Sequence, residues 1–344
     1  MFLPANEIIS QHTKPLGPVQ WSIDEAYIKG RTSPHITANE FFEDWLEIKK
    51  QSIRLKTHQD YQRLIRKYIT PTIGQQPLDQ LSNRQLSRFY MQLGEQGVGS
   101  RSVRYIHSIL KVAFKDAILQ GLLETNPTQG TILPRWKKKE MQILDESQIS
   151  EFLHTARLSP YYGIYHFAIA TGMRMGEILG LKWKDVDWIN ATLFIRRQAQ
   201  RVNGHGVVFQ EPKTNAGIRK IKIQSASLEE LKSQQKRIEK AKKRAGEHWQ
   251  ENDLIFSSKV GTPVVTSNLR RNFKANLKRA GLPSIRFHDL RHTAATLMIN
   301  HDVPIIVVSQ ILGHSKPSVT LDIYSHCSVS MQTQASLIMD KLVS

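Results

Sequence analysis

Apolar side chains recur at helical spacing in four separate runs between Thr37 and Ile118. Phe41, Phe42, Trp45, Leu46 and Ile48 make the first, with Thr37 and Glu40 placed as a capping box at its start. Tyr61, Leu64, Ile65 and Tyr68 make the second. Thr57 is its predicted cap, and Pro71, Gly74 and Pro77 its predicted break. Ser82 and Gln85 form another capping pair before Leu86, Phe89, Tyr90 and Leu93, and Gly94, Gly97 and Gly99 close that stretch. Ser100 opens the fourth run, Val103, Ile106, Ile109, Leu110, Ala113, Phe114 and Ile118. Four amphipathic helices in so short a stretch predict a compact helical domain over residues 36–126.

The flanking pattern differs. Residues 1–35 hold Pro4, Pro15, Gly17, Pro18 and Pro34 with little periodicity, and read as an arm or a reduced module. Residues 127–144 include Pro134 and the run Arg135-Trp136-Lys137-Lys138-Lys139, and read as a basic linker. Asp145 with Gln148 then opens a second domain, expected over residues 145–327. Its helices are expected from Tyr161 to Ala170, stopping at Thr171-Gly172, and from Met175 to Leu181. Strands are expected at Ala191–Arg197, Val207–Phe209 and Ile218–Ile223, with Asn203-Gly204 as the hairpin turn between the first two. A long, very basic helix follows from Leu228 to Glu247, and the chain is helical with short breaks to Gly313. A tail at 328–344 carries Leu337, Ile338, Met339 and Leu342, suited to packing on a neighbouring copy or on itself. The expected fold class is mainly α with a small antiparallel β-sheet: a four-helix domain followed by an α+β domain.

Charge changes this picture. The chain carries 48 Lys and Arg against 30 Asp and Glu, a net +18. A surface so basic attracts polyanions, nucleic acid first. The bases cluster on the outer faces of the first domain, with Arg63, Lys67, Arg101 and Arg104 among them, and again in the linker at Arg135, Lys137, Lys138 and Lys139. Any one of these is better explained as a solvated charge. Together they suit a surface that follows phosphates. Apolar runs such as Ile305–Val308 are far short of the roughly 20 residues a membrane span needs. The start, MFLPANEIIS, lacks the pattern of a signal peptide. Cys327 is the only cysteine, so disulfide and cysteine–zinc frameworks are excluded and a cytoplasmic location is expected.

Four islands combine a backbone break with polar chemistry. His288-Asp289-Leu290-Arg291-His292 admits two readings. Its histidines at i and i+4 could hold zinc, whereas His288 and Arg291 at i and i+3 could grip a phosphate. In TGMRMGE, Gly172 permits a tight turn, Arg174 falls in the first turn after it, and Glu177 is placed to orient the guanidinium. In PKTN, Lys213 is expected at a hairpin tip, where a lysine can contact a phosphate or protonate a leaving oxygen. In LGHSKP, Gly313 and Pro317 fix His314 just past a helix end, and Tyr324 follows ten residues on. Zinc would need a third ligand and would be repelled by Arg174, Lys213 and Arg291. A phosphate uses all of them. His292 then becomes a supporting residue beside Glu177 and Asp289. No Gly-x-x-x-x-Gly-Lys-Ser/Thr loop is present, so ATP is not implied. Tyr324 is the remaining nucleophile. Only about 0.1% of a free phenol is ionised at neutral pH, so surrounding cations must stabilise the developing charge.

Taken in order, TGMRMGE, PKT, HDLRHT, LGHS and DIYSH resemble the tyrosine recombinases, or phage-type integrases. The resemblance places the family's arginines on Arg174 and Arg291, its lysine on Lys213, its histidines on His288 and His314, and its nucleophile on Tyr324. It implies a core-type DNA-binding domain before the catalytic domain, the two clamping the duplex. It also implies strand exchange through a 3′-phosphotyrosyl intermediate and a Holliday junction, without metal, ATP or other cofactor. Expected partners are double-stranded DNA attachment sites, three further protomers in a tetramer on DNA, and accessory DNA-bending or directionality proteins, with no membrane. Only about 35 residues precede Thr37, fewer than the arm-site domain of some 60 that many phage integrases carry, so arm-site binding stays open. A zinc-dependent hydrolase, a DNA-binding regulator that does not cleave, and a type IB topoisomerase with the same chemistry are the competing functions.

Overall fold

The computed structural model describes residues 36–136, 141–212, 214–315, 321 and 339–340. Described residues up to 136 form one compact unit and those from 141 onward a second. The expected arm, Lys137, Lys138, Lys139, Lys213, Tyr324 and nearly all of the tail lie outside the described residues.

The first unit is built from α1 (Ala38–Lys50), α2 (Leu55–Leu64), α3 (Asn83–Glu95) and α4 (Ser100–Leu119). Both expected capping boxes form, with Thr37 and Glu40 at α1 and Ser82 and Gln85 at α3. The apolar stripes meet in one core around Phe41, Phe42, Trp45, Phe89, Ile106 and Phe114. Two details differ from the sequence expectation. Helix α2 starts after Arg54, not at Thr57, and has no side-chain cap. It also runs through Pro71. A wide π turn over Ile65–Ile69 lets Thr70 N–H donate to Ile65 O, and Pro71 falls at the start of the last turn, Thr70–Ile73. There its missing N–H costs little. Arg63, Lys67, Arg101 and Arg104 are all exposed on this unit. The segment after Asn126 docks back onto it: Thr128 is buried, Ile132 N–H donates to Ser87 Oγ at 3.0 Å, and Arg104 Nε donates to Pro134 O at 3.1 Å. Arg135 is exposed at the end of this segment.

The second unit packs helices around small sheets. Asp145 and Gln148 cap α5 (Glu146–Thr155), and α6 (Tyr162–Thr171) and α7 (Met175–Leu179) follow. The strands are β1 (Val186–Asp187), β2 (Thr192–Ile195), β3 (Gln198–Val202), β4 (Gly206–Gln210) and β5 (Arg219–Lys222). Then come α8 (Ser225–Ala245), α9 (Thr266–Arg279), α10 (Asp289–Asn300) and α11 (Ile305–Leu312). Helix α6 lies at the centre, contacting α7, α8 and α10. Phe152, Tyr165, Phe273 and Phe287 interlock as tilted and edge-on rings, with centroids 5.3–6.2 Å apart.

The strand region corrects the sequence expectation. The five strands form two sheets, β1-β2-β5 and the separate pair β3-β4, all antiparallel. The Asn203-Gly204 turn joins β3 to β4, and β3 has too few apolar residues to announce itself. The chain leaves the first sheet at Arg196-Arg197, where the Arg197 guanidinium grips Asp185, which is 1% exposed. Strands β4 and β5 are not partners. The connection from β4 to β5 therefore joins two sheets and is not a hairpin turn.

Phe273 touches the other three rings of its cluster. Phe273→Ala should cost about 3–5 kcal/mol through lost burial and the cavity left behind. A guanidinium denaturation midpoint close to wild type would show that the second unit does not depend on this aromatic core.

Candidate active site

Two left-handed glycines set the backbone of the site. Gly172 ends α6 at φ +62°, and a Cβ there would lie 2.4 Å from a methyl of Leu312. Gly313 ends α11 at φ +68°, where a Cβ would lie 2.8 Å from Ala216 O and 2.9 Å from Arg219 Nη1. Only glycine allows both the handedness and the close approach. The two helix ends are thereby brought against each other and against the start of β5.

Arg174 directly precedes α7, three residues before Glu177. Glu177 accepts from Arg174 Nη1 at 2.8 Å and from Arg174 N–H at 3.0 Å. Arg174 Nη2 also reaches Gly313 O at 3.4 Å. Glu177 is 2% exposed, and its second oxygen binds Arg219 Nη2 at 2.9 Å. Burial pushes this carboxyl up, but the hydrogen bond and charge of Arg219, with those of Arg174, hold it below the usual glutamate range. Sequence reasoning missed Arg219, because in the run IRKIK it looks like one more solvated strand cation.

His288 and Arg291 come from the start of α10. His288 is the N-cap and Arg291 the third residue of the helix. Arg291 is 3% exposed; its Nη1 donates to Gly172 O at 2.9 Å, and its Nη2 is buried with no hydrogen-bond partner among the described residues. Burial, then the charges of Arg174 and Arg219, lower it to about 9 against the pull of Glu177, so it remains a cation at neutral pH. A buried charged donor without a partner is costly, on the order of 1–3 kcal/mol or more, and an incoming oxyanion would relieve that cost. Asp289 faces elsewhere: it accepts from Arg286 N–H at 2.7 Å and from its guanidinium at 2.7 Å, closing the turn that leads into the helix.

The histidines complete the cluster. His288 and His292 meet edge to face with ring centroids 5.1 Å apart. Burial, then His292, Arg291 and Arg174, lower His288 to about 4. Burial, then Arg291, Arg174 and His292, lower His314 to about 4 as well. Both rings are thus neutral at pH 7 and able to donate or accept a proton. A cleft of about 370 Å³ opens beside His314, Gly313 and Arg219. Among the described residues, Glu177 bonds two of the three guanidiniums, Arg174 and Arg219, while Arg291 lies close by, and that excess of positive charge suits an anion. Among the described residues no three His, Cys, Asp or Glu side chains gather as metal ligands, so the zinc reading of HDLRH finds no third ligand there. The fold brings together Arg174, Glu177, His288, Arg291, His292 and His314. Asp289 supports the backbone, and Lys213 and Tyr324 lie outside the described residues.

With this geometry in view, known proteins give a consistent picture. Residues 142–331 match the model of the phage integrase family, and residues 37–94 match the phage integrase N-terminal SAM-like domain. A tyrosine recombinase XerC-like protein of Caldanaerobacter subterraneus is 29% identical over 319 residues, covering 87% of this chain and 82% of that protein. Among solved structures, the Tn1549 transposon integrase in complex with a circular intermediate DNA superposes with a TM-score of 0.76, at 21% identity, covering 89% of this chain and 99% of that one. The lambda integrase tetramer bound to a Holliday junction superposes with a TM-score of 0.62, at 20% identity, covering 87% of this chain and 80% of that one.

The depressed histidines have a consequence for acid stability. The unfolded chain takes up protons near the ordinary value of 6.5, and the folded site resists until about 4. Protons therefore favour unfolding across that window, and stability falls as pH drops through it. His314→Gln should flatten the slope of the urea midpoint between pH 6.5 and 4 relative to wild type. Added sulfate should raise the wild-type midpoint by offsetting the cations. Since His288 is partly open to solvent, high salt should shrink its share. An identical slope in the variant would mean that His314 is not held neutral by its surroundings.

Proposed function

The chain belongs to the phage integrase family, enzymes that cleave and rejoin DNA in site-specific recombination, and we propose that its site works by holding the scissile phosphate between Arg174 and Arg291. The observation that carries this assignment is the guanidinium of Arg291, buried against Gly172 O with its second terminal nitrogen unpartnered among the described residues. Arg174, braced by Glu177, supplies the second cation. Each presents a planar fork to the non-bridging oxygens. Aimed at charge that grows in the pentacovalent transition state, such donors typically contribute about 10²–10³ in rate.

In this reading Tyr324 Oη attacks phosphorus as the P–O5′ bond breaks. The phenolic proton passes to a neutral imidazole, His288 or His314, and Lys213 gives a proton to the leaving 5′ oxygen. The product is a 3′-phosphotyrosyl ester and a free 5′ hydroxyl. The ester keeps the energy of the broken bond, so a 5′ hydroxyl from a partner strand reverses the step on a new duplex without a nucleotide cofactor. Tetrameric exchange through a Holliday junction follows by analogy with the lambda integrase complex. The exposed bases Arg63, Lys67, Arg101, Arg104 and Arg135 are proposed to lie along the DNA backbone, with Lys137, Lys138 and Lys139 continuing that contact. Supercoil relaxation by a topoisomerase shares this chemistry. A single supercoiled plasmid, relaxed or recombined, separates the two.

On a nicked duplex that traps the covalent adduct, Tyr324→Phe should give none, and EDTA should not affect wild type. Arg174→Ala and Arg291→Ala should each slow adduct formation by about 10²-fold or more with duplex affinity nearly unchanged, because many other bases share binding. Severe loss of affinity in either would contradict these roles. Lys213→Ala should be slow on ordinary DNA and recover when sulfur replaces the bridging 5′ oxygen, since a thiolate leaves without a proton. Failure to recover would remove Lys213 as the acid.

A further inference from the structure

Arg219 bonds to three segments of the second unit at once. Its side chain is 7% exposed. Nη2 binds Glu177 Oε2 at 2.9 Å, the oxygen that also accepts Arg174 N–H. Nε donates to Ile311 O at 2.6 Å, in the last turn of α11 just before Gly313 and His314. Nη1 donates to Gly217 O at 3.2 Å, in the turn Asn215–Gly217 that precedes β5. The αL backbone of Gly313 is what lets the end of α11 close to within contact of this guanidinium.

A lysine could not replace it, because one ammonium lacks the fixed fork that addresses three acceptors in different directions. Among the described residues Arg174 has only one carboxylate to fix its direction, and that carboxylate is shared with Arg219. We infer that Arg219 is a positioning residue for strand cleavage: it holds Glu177 and the α11 end in register, so that Arg174 and His314 face the same phosphate. The inference rests on the phosphate-binding role of Arg174 proposed above. Arg219 itself need not touch DNA. Without it, Glu177 keeps its charge but loses its second partner, and is free to draw the Arg174 guanidinium away from the substrate. A displacement near 1 Å in a reacting constellation can cost about 10²-fold in rate.

The test is single-turnover adduct formation by the full chain at saturating nicked duplex, with either a normal scissile phosphate or a methylphosphonate, which removes the substrate's charge. Arg219→Gln and Arg219→Lys are compared with Arg174→Ala, and duplex affinity and urea midpoint are measured for each. With the phosphate, both Arg219 variants should fall on the order of 10²-fold at near-normal affinity, and lysine should not rescue. With the methylphosphonate, their deficits should shrink in step with that of Arg174→Ala. Combining Arg219→Gln with Glu177→Gln should cost less than the product of the single losses, because both act through one carboxylate.

Equal deficits on the two substrates would reduce Arg219 to a structural role and overturn the inference, while leaving Arg174 in place. Full activity in Arg219→Lys would also overturn it, since charge alone would then suffice. If the Arg174→Ala deficit itself fails to shrink, the phosphate-binding role falls, and this inference falls with it.

Discussion

A buried carboxylate shared by two arginines governs the second unit. Glu177 sits almost out of solvent at the start of a short helix, and desolvation alone would make it a poor anion. Arg174 and Arg219 reverse that, and in doing so each is aimed. Removing Glu177 would leave the buried Arg219 guanidinium without its counter-charge, which costs far more than an exposed ion pair gains. Around this triad lie the end of α6, the turn before β5 and the end of α11, all bonded to one of its members or to Arg291.

The electrostatics follow from that arrangement. Three guanidiniums against one carboxylate leave an excess of positive charge around the site. The same excess, after burial, keeps His288 and His314 neutral. A cation could not enter such a site cheaply, whereas a phosphodiester would balance it. On the proposed reading, these neutral imidazoles are the groups that would accept the phenolic proton. Charge, more than any single motif, separates the phosphate reading of HDLRH from the zinc reading.

The helical parts of this protein were legible because their signals are local. Capping boxes at Thr37, Ser82 and Asp145 and stripes such as Val103–Phe114 depend on residues within a few positions of each other. Where the outcome depended on a distant partner, the sequence pattern misled. The polar strand Gln198–Val202 forms because it pairs with Gly206–Gln210, and the break before it forms around Asp185. Pro71 reads as a stop, yet a π turn upstream shifts the ladder so that its missing N–H falls where none is needed.

By itself, the sequence named the candidate residues and their order: two arginines, two histidines and a downstream tyrosine, on a chain whose net charge of +18 suits nucleic acid. Those identities are fixed by residue type and local spacing. The tertiary structure alone decided which cation orients which. Arg219 was indistinguishable from its neighbours Lys220 and Lys222 until the sheet turned it inward onto Glu177, Gly217 and Ile311. Likewise Asp289, beside two histidines in sequence, proved to be bonded to Arg286. The reason is physical: a side chain's charge is a property of the residue, but its direction and its partners are properties of the backbone segments that close around it.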